Sequence, residues 1–329
     1  MIKSVYADCA ASCPPLPCAK DVFTKWAYAN PNSAHSLGRD ARGDLEWARE
    51  NIAFCINAKP EQIAFTPSAT SACALGFNAA LCSSVSPYEH KAVSQLFKFK
   101  STPGCAHMLA NNETGERYDS IVRDLTKDNV VFCDATAAVG QIRVDVKRLG
   151  VHALAAGAHK FGGLPGIGFL YLQDGVTDDA TFPGTPPVAL AVAMASALEY
   201  RCLHMIESNI YLMKETDRLA SAITEIPGAH INSPMDRRLP NILSVRFDGV
   251  NARELLTALD VRGVYASSGS ACAADSDEPS RVLLASGLTE EQALSTIRLS
   301  FCPETTSEEF SFVADTLREA VAQLRSLTE

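Results

Sequence analysis

The stretch Ser267-Ser268-Gly269-Ser270-Ala271-Cys272 sets one thiol at the end of a run of small residues. Such runs leave a backbone free to move, because glycine and its small neighbours impose little steric restraint. Far upstream, Gly157-Ala158-His159-Lys160-Phe161-Gly162-Gly163 places a lysine in a glycine-flanked turn. An amine held in this way is suited to tether an aldehyde cofactor as a Schiff base, and the thiolate is the nucleophilic form of cysteine. A thiol on a movable loop, together with a cofactor-bearing lysine, points to chemistry on sulfur.

These residues need a scaffold that brings them together. The first half alternates strand-like and helix-like segments, the signature of an α/β domain with a mainly parallel sheet. Residues 37–58 read as an amphipathic helix and 62–66 as a short strand, after which Pro67-Ser68-Ala69-Thr70 opens another helix with a hydroxyl cap. Residues 129–133 form a buried-strand run that ends at Asp134. The run at 152–158 ends at His159-Lys160, and a third follows at 167–172. A long helix is expected at 188–223. Beyond Pro234 strands are expected at 241–247, 264–267 and 296–301, and helices at 252–259 and 307–327, an α+β pattern. The division expected is a large domain at 14–205 and a small C-terminal domain at 206–329, with 1–13 packed against it. Polar residues collect at strand ends (Thr70, Asp134, His159, Lys160), where open parallel sheets bind their ligands.

The bulk properties exclude other classes. The 329 residues carry 29 basic and 38 acidic side chains, a net charge of −9 that disfavours a nucleic-acid or anionic-membrane surface. No run of 18 apolar residues occurs, and Met1-Ile2-Lys3-Ser4-Val5-Tyr6 lacks a signal-peptide core, so a cytoplasmic protein without membrane partners is expected. Eleven cysteines at irregular spacing in a chain this long suggest reduced thiols rather than disulfides. Cys55, Cys73, Cys133 and Cys202 sit among apolar neighbours and read as core filler. Cys9, Cys13 and Cys18 match no standard ligand spacing, so no metal is expected.

Nearly end to end, the chain resembles the cysteine desulfurases of the NifS/IscS-like type, in the class V aminotransferase group of fold type I pyridoxal-phosphate enzymes. The resemblance is carried, in order, by the segment from Asn30 to Gly38, Phe65 to Thr70, Glu89-His90-Lys91-Ala92-Val93, and Asn111-Asn112-Glu113-Thr114-Gly115. It continues through Asp134-Ala135-Thr136, His159-Lys160, Leu239-Pro240-Asn241-Ile242-Leu243, the Cys272 loop, Glu278-Pro279-Ser280 and Ile297-Arg298-Leu299-Ser300. It implies pyridoxal 5'-phosphate on Lys160, which also shuttles the substrate's α-proton. Asp134 would pair with the pyridine nitrogen, and His90 would stack on the ring. Ser68, Ala69 and Thr70 would hold the phosphate at a helix N-terminus, and His159 would lie against the cofactor. Thr185, in Pro183-Gly184-Thr185, resembles the threonine that reaches the phosphate from a partner subunit, which implies a homodimer. Asn112 would face the ring hydroxyl and the substrate, and Arg298 would hold the substrate carboxylate. Cys272 would take sulfur from L-cysteine as a persulfide, releasing L-alanine, and pass it to an acceptor protein, as in iron–sulfur cluster assembly.

The chain departs from the family pattern in four places. Ala137 replaces a glutamine that bonds the ring hydroxyl, and Gly157 replaces a phosphate-binding serine. The segment from Asp174 to Phe182 is shortened, and little C-terminal extension follows the last helix. Two other readings stay open: a different pyridoxal-phosphate reaction, such as a cysteine or selenocysteine lyase or an aminotransferase, and a non-catalytic relative that binds a partner.

Overall fold

A computed structural model of the chain describes residues 4–25, 30–97, 104–175, 184–269 and 278–327. Along it run β1 (Val5–Tyr6), α1 (Pro17–Lys25), α2 (Ser36–Cys55), β2 (Ile63–Thr66), α3 (Ala69–Ala79), β3 (Cys82–Val85), α4 (Lys91–Ser94) and β4 (Gly104–Ala106). Next come α5 (Asp119–Leu125), β5 (Val130–Asp134), α6 (Val146–Leu149), β6 (Ala153–Gly157), β7 (Gly168–Leu172) and α7 (Val188–Thr224). The last are β8 (Ala229–Ile231), β9 (Ile242–Phe247), α8 (Ala252–Val261), β10 (Val264–Tyr265), α9 (Arg281–Ala285), α10 (Glu290–Leu294), β11 (Thr296–Ser300) and α11 (Ser307–Ser326).

The chain divides into two compact units, one of Ser12–Ala110 and Tyr118–Met205, the other of Met1–Ala11, Asn111–Arg117 and Ile206–Glu329. Residues 12–13, expected with the small unit, go with the large one, where the Cys13 N–H donates to the His159 carbonyl at 2.7 Å. Residues 111–117, expected in the large unit, go with the small one. There the Arg117 N–H donates to the Arg237 carbonyl at 2.9 Å, and the Ser233 hydroxyl donates to the Thr114 carbonyl at 2.6 Å.

The large unit is built on a six-stranded sheet in the order β2-β7-β6-β5-β4-β3. Strands β3, β4, β5 and β6 pair in parallel, while β7 runs antiparallel to both β6 and β2. The carboxyl ends of β2, β3, β4, β5 and β6 therefore all lie at one edge. Strand β6, Ala153-Leu154-Ala155-Ala156-Gly157, is buried along its whole length, as expected for a strand covered on both faces. Helix α3 packs on this sheet through Ala72, Cys73 and Phe77, against Phe132, Ala153, Ala155 and Leu170.

Two glycines make that packing possible. Gly157 and Gly168 face each other in register across β6 and β7. A Cβ on Gly168 would stand 2.6 Å from the Ala156 carbonyl oxygen and 2.9 Å from the Ala69 nitrogen. A Cβ on Gly157 would stand 2.9 Å from the Ala69 Cβ. The first turn of α3 lies against two residues that have no side chain.

The small unit has an antiparallel sheet β11-β9-β8 and a parallel pair β1-β10. Leu243, Val245 and Phe247 of β9 and Ile297 and Leu299 of β11 form its core with Leu255 and Leu259 of α8 and Val313 and Leu317 of α11. The Thr306 hydroxyl caps α11 and Glu309 returns the bond, a capping box. Helix α7 is long and apolar enough to cross a membrane by composition alone, but half of its most apolar window is buried inside the protein, as in a core helix. Gly168→Ala is expected to destabilise the chain by about 1–3 kcal/mol, because the added methyl meets backbone that cannot step aside. A chemical denaturation midpoint equal to that of the parent would contradict this account of α3 docking.

Candidate active site

The edge formed by the parallel carboxyl ends gathers most of the residues singled out in the large unit. Thr66 ends β2 and leads into α3, and the loop after β3 carries His90. Asp134 ends β5, and the turn after β6 carries His159 and Lys160. Parallel pairing sets Asp134 opposite Ala155, just upstream of that turn. The order in the chain is scattered, yet the sheet delivers all of them to one side.

At α3 the cap is Ser68, in extended backbone, whose Oγ accepts from the Ser71 N–H at 3.1 Å. The N–H groups of Ala69 and Thr70 are left without intrahelical partners, at the positive end of an 11-residue helix, which suits an anion. Gly157 explains one departure from the family pattern. A serine there would press its Cβ on Ala69 and on the His159 ring, whose Cε1 lies 3.3 Å from the Cβ position, so the close seat of α3 excludes it.

Asp134 is buried. Its Oδ1 accepts from the Thr136 N–H at 2.9 Å. The hydroxyl of the same Thr136 is buried without a partner. A protonated ring nitrogen would suit the remaining lone pairs of Asp134. His90 caps α4, and its Nδ1 accepts from the Ala92 N–H at 3.1 Å, so the neutral ring carries its proton on Nε2. Burial, with Lys160 nearby, holds the imidazole below its usual pKa against the opposing pull of Asp134. His159 is held lower still, to about 4, by burial and then by Lys160. Both rings are therefore neutral at physiological pH.

Lys160 closes a one-turn 3-10 helix, Ala158–Lys160, and its carbonyl accepts from Gln141 Nε2 at 3.4 Å. This glutamine lies four residues beyond Ala137 and is buried. Its amide braces the lysine turn rather than standing in for the glutamine that Ala137 replaces.

In the small unit, Asn111 and Asn112 divide their work. Asn111 is fully buried, and its Oδ1 accepts from the N–H groups of Glu113 and Thr114 at 2.8 and 2.9 Å. Asn112 gives its carbonyl to Arg298 Nη1 at 2.9 Å, and its half-buried side chain takes no part in that bond. Arg298 is 2 % exposed, with Nη2 on Asp8 Oδ1 at 2.6 Å and Nη1 also on the Gly269 carbonyl. Its Nε is buried without a partner. Nε and the second proton on Nη2 are thus spare donors, the pair that a bidentate carboxylate requires. The tie to Gly269 also anchors the start of the segment that leads to Cys272. Cys272 itself lies outside the described residues.

Thr185 is exposed just before α7. Cys13 accepts from Arg201 Nη2 at 3.5 Å, and the Cys18 thiol donates to the Ser196 carbonyl at 3.7 Å, so both pack in the large unit. Cys9 is buried in the small unit. Among the described residues no three His, Cys, Asp or Glu side chains are placed to hold a metal. Cys73 and Cys133 are buried, whereas Cys55 and Cys202 are only partly so. Sequence reasoning gave no role to Asp8, Cys73 or Glu89. Asp8 and Arg298 are 290 positions apart, and no local pattern announces their pairing.

The class-V aminotransferase family profile matches residues 5–114 and 88–313. The chain is 31% identical to the cysteine desulfurase IscS of Dictyoglomus turgidum, an alignment that takes in all of this chain and 97% of that protein. Among solved structures, a NifS-like protein superposes with a TM-score of 0.86 at 27% identity, covering 98% of this chain and 100% of the other. SspA in complex with cysteine superposes with a TM-score of 0.73 at 25% identity, covering 92% of this chain and 99% of that one. With the sheet edge, the lysine turn and the capped α3 in place, these similarities make the chain a member of the class-V aminotransferase family, of the NifS/IscS-like type.

Proposed function

We propose that this protein is a pyridoxal-phosphate-dependent cysteine desulfurase that converts L-cysteine to L-alanine and carries the sulfur as a persulfide on Cys272. The observation that carries this reading is the convergence of Lys160, Asp134, His90 and the open N-terminus of α3 at one edge of the sheet. The fit to the cofactor rests on the spare N–H groups of Ala69 and Thr70 for a phosphate and on the acceptor lone pairs of Asp134 for a ring nitrogen. The buried, unpartnered hydroxyl of Thr136, whose N–H bonds Asp134, adds an open polar atom.

Pyridoxal phosphate, when bound, supplies an aldehyde for the substrate amine and an electron sink for charge developing at Cα. The chain supplies the rest. Lys160 Nζ holds and returns the Cα proton. Asp134 would accept from a protonated ring nitrogen, and neutral His90 would lie against the ring without adding a second positive charge. Arg298 fixes the substrate carboxylate through its orphaned Nε. The Cys272 thiolate forms an S–S bond to the substrate sulfur as the substrate's Cβ–Sγ bond breaks, and protonation of the remaining three-carbon fragment gives alanine. The persulfide then passes its outer sulfur to a thiol acceptor on another protein, a first step shared by iron–sulfur assembly and tRNA thiolation.

A homodimer in the cytoplasm is part of this proposal. Thr185 stands exposed where the family's partner-reaching threonine would stand, and α7 bares Leu203, Ile206 and Ile210 at helical spacing. The cysteines among the described residues are all free thiols, which suits a reducing compartment.

Three outcomes are expected. The cofactor-loaded protein with L-cysteine and a reductant releases alanine and sulfide in equal amounts, and Cys272→Ala abolishes both; pyruvate that persists in the variant would mean a lyase instead. Ala137→Gln lowers the cofactor dissociation constant by roughly tenfold or more, since a hydrogen bond to a charged group contributes about 1.5–3 kcal/mol; an unchanged constant in fluorescence titration would refute the idea that this position is underbonded. The third outcome concerns His159. Its unfolded ring takes up a proton near the ordinary pKa of 6.5, while the folded ring does so only near 4. Stability is therefore intact above 6.5 and is lost as pH falls from 6.5 towards 4, by about 1–2 kcal/mol after allowance for solvent screening. His159→Gln removes that part of the slope, as urea midpoints across this range will reveal.

A further inference from the structure

One buried acid of the small unit has no part in the proposed mechanism, yet it meets chain on both sides of Cys272. Glu113 is 6 % exposed. Its N–H donates to Asn111 Oδ1 at 2.8 Å, and the Thr114 N–H donates to the same oxygen at 2.9 Å. An asparagine that accepts from the N–H groups two and three residues on locks a tight turn. Arg298 Nη1 holds the Asn112 carbonyl at 2.9 Å, so the backbone here is fixed without help from the Glu113 side chain.

That side chain reaches downstream. Its Oε2 accepts from the Ser280 hydroxyl at 2.5 Å, at the short end for such a bond. The same hydroxyl oxygen accepts from the Leu283 N–H at 3.3 Å and caps α9. Oε2 also lies against Gly269, where a Cβ would stand only 2.9 Å from it. Gly269 has a φ of +113°, which favours glycine, and its carbonyl is held by Arg298 Nη1. One carboxyl oxygen therefore meets both Gly269 and Ser280, and Cys272 lies on the chain between them. Capping of α9 would need the Ser280 bond alone; the close approach to Gly269 is an additional contact.

A reactive group on a chain segment is confined to the volume that its two anchor points allow, and that volume sets its effective concentration at a target. We infer that Glu113 is a positioning residue for sulfur transfer: its carboxyl holds Gly269 and Ser280 at a fixed separation and so sets the base from which the Cys272 thiol reaches the substrate. This rests on the proposed role of Cys272 and deepens it, since Glu113 acts only through the two anchors.

Two measurements on the full chain test it. The first is amide hydrogen exchange, which needs neither cofactor nor turnover. Glu113→Ala should speed exchange at Gly269 and Leu283 by about tenfold or more, while β9 and β11 keep the parent's rates. Glu113→Gln retains an oxygen that can accept from Ser280 and should stay within about threefold of the parent. Equal exchange in the parent and Glu113→Ala overturns the inference whether or not the protein is a desulfurase. The second is the kinetics of the cofactor-loaded protein with L-cysteine, with persulfide on Cys272 counted by mass spectrometry. Glu113→Ala should lower kcat by about tenfold or more and leave KM within about twofold, because the Arg298 contacts run to Asp8 and to backbone carbonyls that the variant keeps. Glu113→Gln should restore most of that rate. Fast exchange with the parent's kcat would make Glu113 a brace of the fold and overturn the positioning role, as would equal loss of rate in both variants. A parent that forms no persulfide would sink the proposed function and, with it, the role towards Cys272, while exchange would still decide whether Glu113 holds the two anchors.

Discussion

The close seat of α3 on β6 and β7 is the contact on which the rest of this structure depends. Gly157 and Gly168 lack the Cβ atoms that would collide with Ala69, and so the helix N-terminus reaches the edge where β5 and β6 end. Were the helix a few ångströms further out, its open N–H groups, Asp134 and the lysine turn would face separate surfaces. The same contact accounts for the glycine found where relatives have a serine: helix proximity and a side chain at that place are mutually exclusive here.

Charge in the large unit is handled by burial balanced against donors. His90 and His159 lose their positive charge to desolvation, which leaves Lys160 as the cation of the site. Glu89, buried just before His90, is pushed well above the ordinary carboxylate range, chiefly by burial. The small unit follows the same rule. Arg298 is buried with Nη1 on Asn112 and Gly269 and one Nη2 proton on Asp8, while Nε has no partner. A buried guanidinium with one orphaned donor is costly unless an acceptor arrives, which is the behaviour of a carboxylate-binding group.

Much of this was legible in the chain. The strand runs ending at Asp134 and at the His159-Lys160 turn, the serine cap of α3, and the long helix near 188–223 are all local patterns, set by side-chain period and capping chemistry within a few residues. The structure places each within one to three residues of the expected bounds. What escaped were relations across distance. The loop at 111–117 belongs with strands far downstream because its backbone bonds to Arg237 and its carbonyl to Ser233. Gln141 braces the lysine turn from 19 positions away.

By itself the sequence determined the types of groups available, the strand ends on which they sit, and the lysine and thiol that confine the chemistry to sulfur, because these depend on residue identity and short-range periodicity. Only the tertiary structure decided which histidines are held neutral, which arginine donor is left open, and whether a serine could stand at position 157. Those outcomes turn on burial and on approaches of two to three ångströms between segments that the chain holds far apart, and no local pattern encodes them.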